Sequence, residues 1–484
     1  MVDESTANLL AKRIIIDHRL ILLGPDIPGG LHTGPLFYYL TALIMFLVRF
    51  NPLGEAIFCS LVGVGTTVLL YLIGKKIFTS KRIAVFATII YVFSCLIIIY
   101  NRTYNTLTFS LLAALLSYYS LYQLKQGKVK WIYLLALALI LGTHSEGSAF
   151  SLVLLSILFF GFNLFPKKIN KLRLLGKGLI IWLFSFLPLV FFEFRHNFIL
   201  FKRLPEFFSF SKTMNLGFYN SINNLISRII LIPQALSRIF FLSGKPDLSS
   251  QILPCIAFVQ DRKQISVILL FFSVGIIGYF LSEFWKNKQN VGVQILGWHI
   301  LVMVFGLLLY GLLLPGYLHE WFFAIFFPAF CLIAGYFFDF LWKKTKLLVI
   351  VFFIVFISVN LKTFFAIKNP NGLAVKEKAI KYALAKIDSK EFYLDSIGTC
   401  YAYGGYRYLF WFYGREPLYS YADNLYWDWL YPRPIKDKPD LGVVMVNSLD
   451  KNDQGFLQSY NAYKKITKAS QKFDAIEVLI VGTD

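Results

Sequence analysis

Long apolar runs alternate with short polar segments through the first 370 residues of the chain. A helix needs about 17–25 apolar residues to cross a hydrocarbon core of ~30 Å. Nine runs reach that length, and a tenth can reach it together with its flanks. The ten runs are 56–74, 84–100, 107–124, 131–143, 147–165, 178–194, 265–283, 292–314, 321–341 and 347–366. The pattern predicts an all-α polytopic membrane protein with about ten transmembrane helices.

One further apolar run, 36–50, is short and is closed by Arg49. This pattern is typical of a helix that lies at the membrane interface or partly re-enters the membrane. We therefore expect an interfacial helix there in addition to the ten spans.

The pattern changes after the last apolar run. The turn sequence Asn369-Pro370-Asn371-Gly372 ends that run, and residues 373–387 have the apolar period of an amphipathic helix. Short β-rich runs follow at 391–395, 442–446 and 476–481. We predict a membrane domain at 1–369 and a small α/β domain at 370–484, which is called the tail below.

Composition and charge narrow the class of protein. Hydrophobic residues make up 57% of the chain and charged residues only 15%, whereas soluble domains have about 45–50% and 25%. The net charge is +21, and the first 370 residues hold 33 basic and 13 acidic residues. The basic residues form clusters between apolar runs and do not lie on one soluble face, so nucleic-acid binding is not expected.

The basic clusters fall in alternate loops, which orients the chain. They lie at Lys75–Arg82, Lys125–Lys130, Lys167–Lys177, Lys286–Lys288 and Lys343–Lys346. Positive loops face the cytoplasm. We therefore expect residues 1–55, the long loop 195–263 and the tail to face outward from an inner or plasma membrane.

Sequence motifs of soluble enzymes are absent from the chain. It has no GxxxxGK[ST] loop, no GxGxxG after a strand and no GxSxG, and His319-Glu320 lacks the second histidine of a zincin motif because position 323 is Phe. The five cysteines form no CxxC pair. We predict no cofactor and no metal site, and dependence on a divalent ion stays open.

Polar and ionisable residues instead gather at the predicted outer ends of the spans. They are Asp3 and Glu4, His32, Arg102 and Asn105, His144, Glu193, Arg195 and His196, and His319. Each alone is typical of a helix end that meets water. Together, in a chain with few acidic residues, they favour a shared water-filled cavity on the outer side.

The order of these motifs resembles that of the GT-C membrane glycosyltransferases. Asp3-Glu4 is followed by Gly34–Tyr39, by the basic loop Lys75–Arg82 and by the polar loop Tyr100–Asn105. The resemblance is strongest to the protein O-mannosyltransferase-like and aminoarabinose-transferase-like group. It covers most of residues 3–195 and is weaker at Tyr317–Gly335.

The resemblance implies an enzyme that moves a hexose or pentose from a polyprenyl-phosphate donor, held in the membrane lipid, to an outer glycan, lipid or protein. Asp3 matches the family's catalytic base, and one carboxylate suffices to take the proton of an attacking hydroxyl. Arg102, His32, Arg195 and His196 are candidates to stabilise the leaving phosphate. The remaining substrate-binding candidates are Glu4, Asn105, His144, Glu193 and His319.

The chain departs from the family pattern at three places. Asn105 stands where some relatives have an acidic residue, and Gly34 stands where some have a lysine before the proline. Only Met1 and Val2 precede Asp3, so we expect the parent gene to encode about 20 further apolar residues upstream.

Other functions compatible with the pattern are a transporter or flippase of lipid-linked glycans, a glycan polymerase and a non-catalytic membrane scaffold. The aromatic residues of the tail also have two interpretations. Tyr406, Tyr408, Trp411, Trp427 and Trp429 could stack on a glycan or pack the tail against the membrane interface, and we favour packing.

The orientation of the chain is testable with topology reporters. A reporter fused after Asp484 should read as external, and one inserted within Lys167–Lys177 should read as cytoplasmic, because basic loops stay inside. Reporters that fall on the same side would overturn the assignment of spans and with it the grouping of the polar loops.

Overall fold

The computed structural model describes most of the chain. The described residues are 2–27, 31–161, 170–203, 205, 229–242, 266–313, 320–367, 371–398, 404–423, 439–447 and 454–482. Residues 2–5 are described by their backbone only, so the side chains of Asp3 and Glu4 lie outside the description. His319 and most of the predicted loop 195–263 also lie outside it.

Helices make up the membrane part. They are α1 (Val2–Ile15), α2 (Leu36–Leu47), α3 (Pro52–Phe78), α4 (Lys81–Phe93), α5 (Cys95–Arg102), α6 (Leu107–Lys125), α7 (Trp131–Thr143), α8 (Phe150–Gly161), α9 (Lys171–Phe184), α10 (Leu187–Arg195), α11 (Leu231–Phe240), α12 (Val267–Lys286), α13 (Val291–Leu313), α14 (Phe327–Lys344) and α15 (Lys346–Ala366). Two 3-10 helices, Gly147–Ala149 and Glu320–Phe326, precede α8 and α14. A small hairpin, β1 (Asp26–Ile27) with β2 (Leu31–His32), lies between α1 and α2.

The predicted polytopic membrane fold is confirmed. Among the described residues, six helices are long and apolar enough to cross a membrane, or eight if each of two bent helix pairs is one span. The shorter apolar helices α7 and α8 occupy the two remaining predicted runs. The expected number of about ten therefore depends on two helices whose described parts are shorter than a full span.

Two predicted spans are bent, and the larger bend lies in the run 84–100. The apolar run 84–100 reads as continuous, but α4 and α5 meet at Ser94 with a bend of 66°. The freed amide of Cys95 donates to Asn360 Oδ1 at 2.9 Å, and Asn360 Nδ2 donates to the carbonyls of Phe240 and Phe356 at 2.7 and 2.9 Å. Backbone polar groups at membrane depth need partners inside the protein, and Asn360 supplies them here.

Helices α4 and α14 approach closely because a glycine lies between them. A Cβ atom added at Gly335 would lie 2.6 Å from the Ile83 carbonyl oxygen and 2.9 Å from the Ala87 amide nitrogen. Small residues allow such backbone contact between membrane helices. Near one end of the pair, Asp339 accepts from Arg82 Nε at 2.7 Å and pairs with Lys343 Nζ at 3.1 Å.

The tail forms a mixed five-stranded sheet with helices. Its described helices are α16 (Leu373–Ile387), α17 (Tyr406–Phe412) and α18 (Gln454–Lys465), and its strands are β3 (Tyr393–Ile397), β4 (Tyr419–Ser420), β5 (Leu441–Asn447), β6 (Thr467–Phe473) and β7 (Ile476–Gly482). The strand order is β4-β3-β5-β7-β6, with β4, β3 and β5 parallel and the other pairs antiparallel. Helix α16 has the predicted bounds, and β3, β5 and β7 overlap the three predicted strands.

The tail packs on α1 and α2. Leu9 and Met45 share one apolar cluster with residues of α16, α17 and the sheet. At the edge of this contact, Lys12 Nζ lies 2.5 Å from a carboxylate oxygen of Glu416 and 5.0 Å from the centre of the Trp411 ring. The Trp411 ring also meets Phe50 edge to face at 5.2 Å.

The aromatic residues of the tail that are described have packing roles. Tyr406 and Tyr408 are buried in the apolar cluster, and the Tyr408 hydroxyl donates to the Phe50 carbonyl. These contacts agree with the packing interpretation. Trp427 and Trp429 lie outside the described residues.

The contact between α4 and α14 can be tested by overpacking. Gly335→Val should destabilise the protein by at least the ~1–3 kcal/mol usual for overpacking, because the new side chain meets backbone atoms that cannot move aside. The measurement is the thermal unfolding midpoint of the detergent-solubilised protein. Gly278→Val is the matched control, since no atom lies within 4 Å of a Cβ added there. Equal midpoints for the two variants would contradict the contact.

Candidate active site

A cavity of about 210 Å³ lies where the tail meets the membrane part of the chain. It is formed by α1, the start of α3, the end of α5 and the tail segments around α16 and α17. The lining residues with polar side chains include Asn8, Glu55, Arg102, Tyr104, Lys376 and Tyr408. We call it the junction cavity.

Arg102 is the predicted residue that the structure places in the junction cavity. It is the last residue of α5, the helix that the bend at Ser94 turns away from the direction of α4. Its guanidinium carbon lies 5.2 Å from the centre of the Phe364 ring on α15, and the residue is exposed. A cation is therefore available at the rim of the cavity, next to a membrane helix.

Glu55 is a cavity residue that sequence reasoning missed. It lies in the first turn of α3, where Asn51 caps the helix by accepting from the Leu53 amide at 2.9 Å and Pro52 occupies the first position. The side chain is only 5% exposed and accepts from Asn8 Nδ2 at 2.8 Å. A helix start stabilises a negative charge. The signal available in the sequence was the capping pattern Asn51-Pro52 just before Glu55.

The predicted catalytic acid lies on a helix that lines this cavity. Asp3 is in the first turn of α1, five residues before Asn8, or about 7.5 Å along the helix axis. Glu4 precedes Asn8 by about one turn. The described backbone thus brings the start of α1 to the same end of the helix bundle as Arg102.

His144 is buried and has a structural set of partners. Its Nδ1 accepts from the Leu36 amide at 3.4 Å, at the start of α2, so Nε2 carries the proton and donates to Ser185 Oγ at 2.8 Å. Burial lowers the pKa of His144, which favours this neutral form. With both ring nitrogens engaged, His144 joins α2, α7 and the turn between α9 and α10.

The His144 ring explains the glycine before Pro35. A Cβ atom added at Gly34 would lie 2.1 Å from His144 Cε1. The position where some relatives carry a lysine therefore has no space for a side chain here. Gly34 departs from the family pattern because the His144 ring fills the space that a side chain at position 34 would need.

His32 lies on β2, one residue before Thr33, whose hydroxyl donates to the His144 carbonyl at 3.2 Å. The Nδ1 of His32 lies 3.0 Å from the Gly24 carbonyl oxygen and therefore carries the proton. Burial lowers the pKa of His32. The Asp26 carboxylate, which lies opposite His32 in the β1–β2 hairpin, acts in the other direction and raises the pKa.

The remaining predicted residues with described side chains have local partners. Glu193 accepts from the amides of Leu200 and Phe201 at 3.2 and 3.0 Å. His196 Nδ1 donates to the Phe192 carbonyl at 2.9 Å. Arg195, beside them, is exposed.

Asn105 has a helix-capping role. Its Oδ1 accepts from the Leu107 amide at 2.9 Å, at the start of α6.

The structure thus separates the predicted residues into the junction cavity, with Arg102, and a second group around the segment 20–36 and helices α9 and α10. In the part of the chain that is described, no three His, Cys, Asp or Glu side chains lie together in a way that could hold a metal ion.

Comparison with known proteins identifies the fold. Residues 32–192 match the family model described as dolichyl-phosphate-mannose-protein mannosyltransferase. The whole chain aligns with 95% of ArnT from Cupriavidus metallidurans bound to undecaprenyl phosphate, with a TM-score of 0.59 and 11% sequence identity. The chain has the fold of the GT-C membrane glycosyltransferases.

A second solved GT-C protein is less similar. The Archaeoglobus fulgidus oligosaccharyltransferase, in its complex with Zn and sulfate, aligns with 87% of this chain and 57% of its own, with a TM-score of 0.47 and 14% identity. No curated protein sequence matches the chain. The family-model match and the ArnT-like fold confirm the GT-C resemblance predicted from the motif order.

The contact between Gly34 and His144 can be measured with a double-mutant cycle. Gly34→Ala should destabilise the protein by about 1–3 kcal/mol, because the added methyl group overlaps the imidazole ring. The cost should shrink in a His144→Ala background, with a coupling of about 0.5–3 kcal/mol. Thermal unfolding in detergent gives both values. Gly65→Ala is the control, since the space around its Cβ position is open. Additive effects of the two substitutions would argue against the contact.

Proposed function

We propose that the protein is a glycosyltransferase that moves a sugar from a polyprenyl-phosphate donor to an acceptor on the outer side of the membrane. The observation that carries the proposal is the GT-C fold over the whole chain, together with the junction cavity. That cavity has a cation at its rim and lies beside the helix that begins with Asp3 and Glu4. The outward orientation of the tail is part of this proposal and follows the basic loops.

The membrane surface beside Arg102 suits a lipid carrier. Helix α15 is apolar, and most of its surface is not covered by other parts of the protein. Only 22% of its most apolar stretch is buried. Phe364, near the end of that helix, contacts the Arg102 guanidinium. A polyprenyl chain lying along α15 would bring its phosphate to Arg102, since a guanidinium binds phosphate oxygens with paired hydrogen bonds.

The proposed reaction is a single displacement at the anomeric carbon. The acceptor hydroxyl oxygen forms a bond to that carbon, the bond from the carbon to the phosphate oxygen breaks, and the carrier leaves as polyprenyl phosphate. The hydroxyl proton passes to the Asp3 carboxylate, the proposed general base. Arg102 stabilises the negative charge that grows on the phosphate.

The other substrate contacts are proposed by position. Glu4 would hold an acceptor hydroxyl near Asp3, and His319 would join from the segment before the 3-10 helix Glu320–Phe326. His32, Arg195 and His196 belong to the second group of polar residues, on which an acceptor glycan, lipid or protein would rest. Transfer of a hexose and of a pentose are both compatible with a cavity of this size.

The proposal predicts the effect of removing the base. In proteoliposomes with a labelled polyprenyl-phosphate sugar, the parent protein should release polyprenyl phosphate when an acceptor is present. Asp3→Asn should lower turnover by about 10²–10⁴-fold, because it keeps the shape but loses the basicity. Donor binding and protein abundance should stay unchanged, and Glu4→Gln, the matched control, should cost clearly less.

Two results would count against this function. Turnover of Asp3→Asn above about a tenth of the parent value would exclude base catalysis by Asp3 as the main effect. Movement of the intact donor across the bilayer without cleavage would identify a flippase instead.

A further inference from the structure

Asn8 and Glu55 form a buried polar pair on the wall of the junction cavity. Asn8 is 2% exposed, and its Nδ2 donates to Glu55 Oε2 at 2.8 Å. The other polar atom of the same side chain, Asn8 Oδ1, is buried and accepts no hydrogen bond from any residue whose side chain the structure describes. Buried side-chain acceptors normally have a partner, and one without a partner in a cavity wall is evidence for a ligand that donates.

The cavity has the size of one sugar ring. Its volume of about 210 Å³ corresponds to about seven water molecules at ~30 Å³ each. That space admits a monosaccharide. The carboxylate of Glu55 and the carbonyl of Asn8 are hydrogen-bond acceptors, and the hydroxyl groups of a sugar are donors.

The two ends of the cavity differ in charge and surroundings. Arg102 lies at the rim beside the lipid-facing helix α15, whereas Glu55 is buried at the start of α3. From the tail side, Lys376 Nζ donates to the Gly404 carbonyl at 2.5 Å, which holds this second cation against the tail. A donor anchored in the bilayer would therefore meet Arg102 with its phosphate first and turn its sugar toward Glu55.

We propose that Glu55 and Asn8 bind hydroxyl groups of the sugar carried by the polyprenyl-phosphate donor, and that Glu55 is a positioning residue which sets sugar specificity. The inference rests on the proposed transferase function. The Glu55 carboxylate accepts from Asn8 and lies at a helix start, where a negative charge is stabilised. In this proposal Glu55 positions the sugar, and Asp3 remains the general base.

The test is steady-state kinetics of the full chain in proteoliposomes, with a polyprenyl-phosphate hexose and its series of single deoxy-sugar analogues. Glu55→Gln should raise the donor KM by about 10–100-fold, the value of a hydrogen bond to a charged group, with a small change in kcat. One deoxy analogue should be discriminated against by the parent protein and accepted almost equally by Glu55→Gln. Asn8→Ala, which keeps the carboxylate, should show a weaker form of the same loss. The exposed Glu391→Gln is the matched control and should behave as the parent.

The outcomes separate this inference from the proposed function. If the parent protein turns over the donor but Glu55→Gln keeps the parent KM and the parent discrimination, the inference is wrong and the transferase function stands. A second result would also overturn the inference. If Glu55→Gln lowers the unfolding midpoint while Asn8→Ala still discriminates between the hexose donor and its deoxy analogue as the parent does, the pair has a purely structural role. If the parent protein turns over no polyprenyl-phosphate sugar, the proposed function itself fails.

Discussion

The hydrogen bond from the Cys95 amide to the Asn360 side chain holds the bend on which the junction cavity depends. Without a partner, the amide freed at Ser94 would be unsatisfied at membrane depth, which is costly. Asn360 is 1% exposed and also binds two carbonyls, so one side chain joins α5, α11 and α15. The bend of 66° turns α5 away from the direction of α4 and ends it at Arg102, beside Phe364.

The tail is part of the same arrangement. It contributes Lys376 and Tyr408 to the cavity wall and packs through apolar residues on α1 and α2. The ion pair between Lys12 and Glu416 is partly exposed, and such pairs add little stability. The apolar contact therefore holds the tail in place, and through α1 it also fixes the helix that carries Asp3.

Hydropathy predicted the fold closely, but the sequence patterns predicted the geometry of the candidate site only in part. Apolar runs located the helices that correspond to the ten predicted spans, because burial in lipid demands an apolar composition, and the amphipathic period located α16 to the residue. Helices α1 and α11 were missed, and α11 lies in the segment 195–263 that was predicted to be an outer loop. The break at Ser94 was missed because both sides of it are apolar and its cause, Asn360, lies far along the chain. Strand β6 was missed because most of its residues are exposed and polar.

The candidate site depends on contacts that no local pattern reports. Glu55 reads as a polar residue before a span, and only folding brings it to Asn8 and Arg102. His144 reads as a polar helix end, yet its ring nitrogens are both engaged in joining helices. Cryo-electron microscopy of the protein with a bound, non-transferable polyprenyl-phosphate sugar tests the account most directly. We expect density for the phosphate at Arg102, for the sugar against Glu55 and Asn8, and for the lipid along α15. A donor bound instead between His32 and α10, with the junction cavity free of sugar, would contradict it.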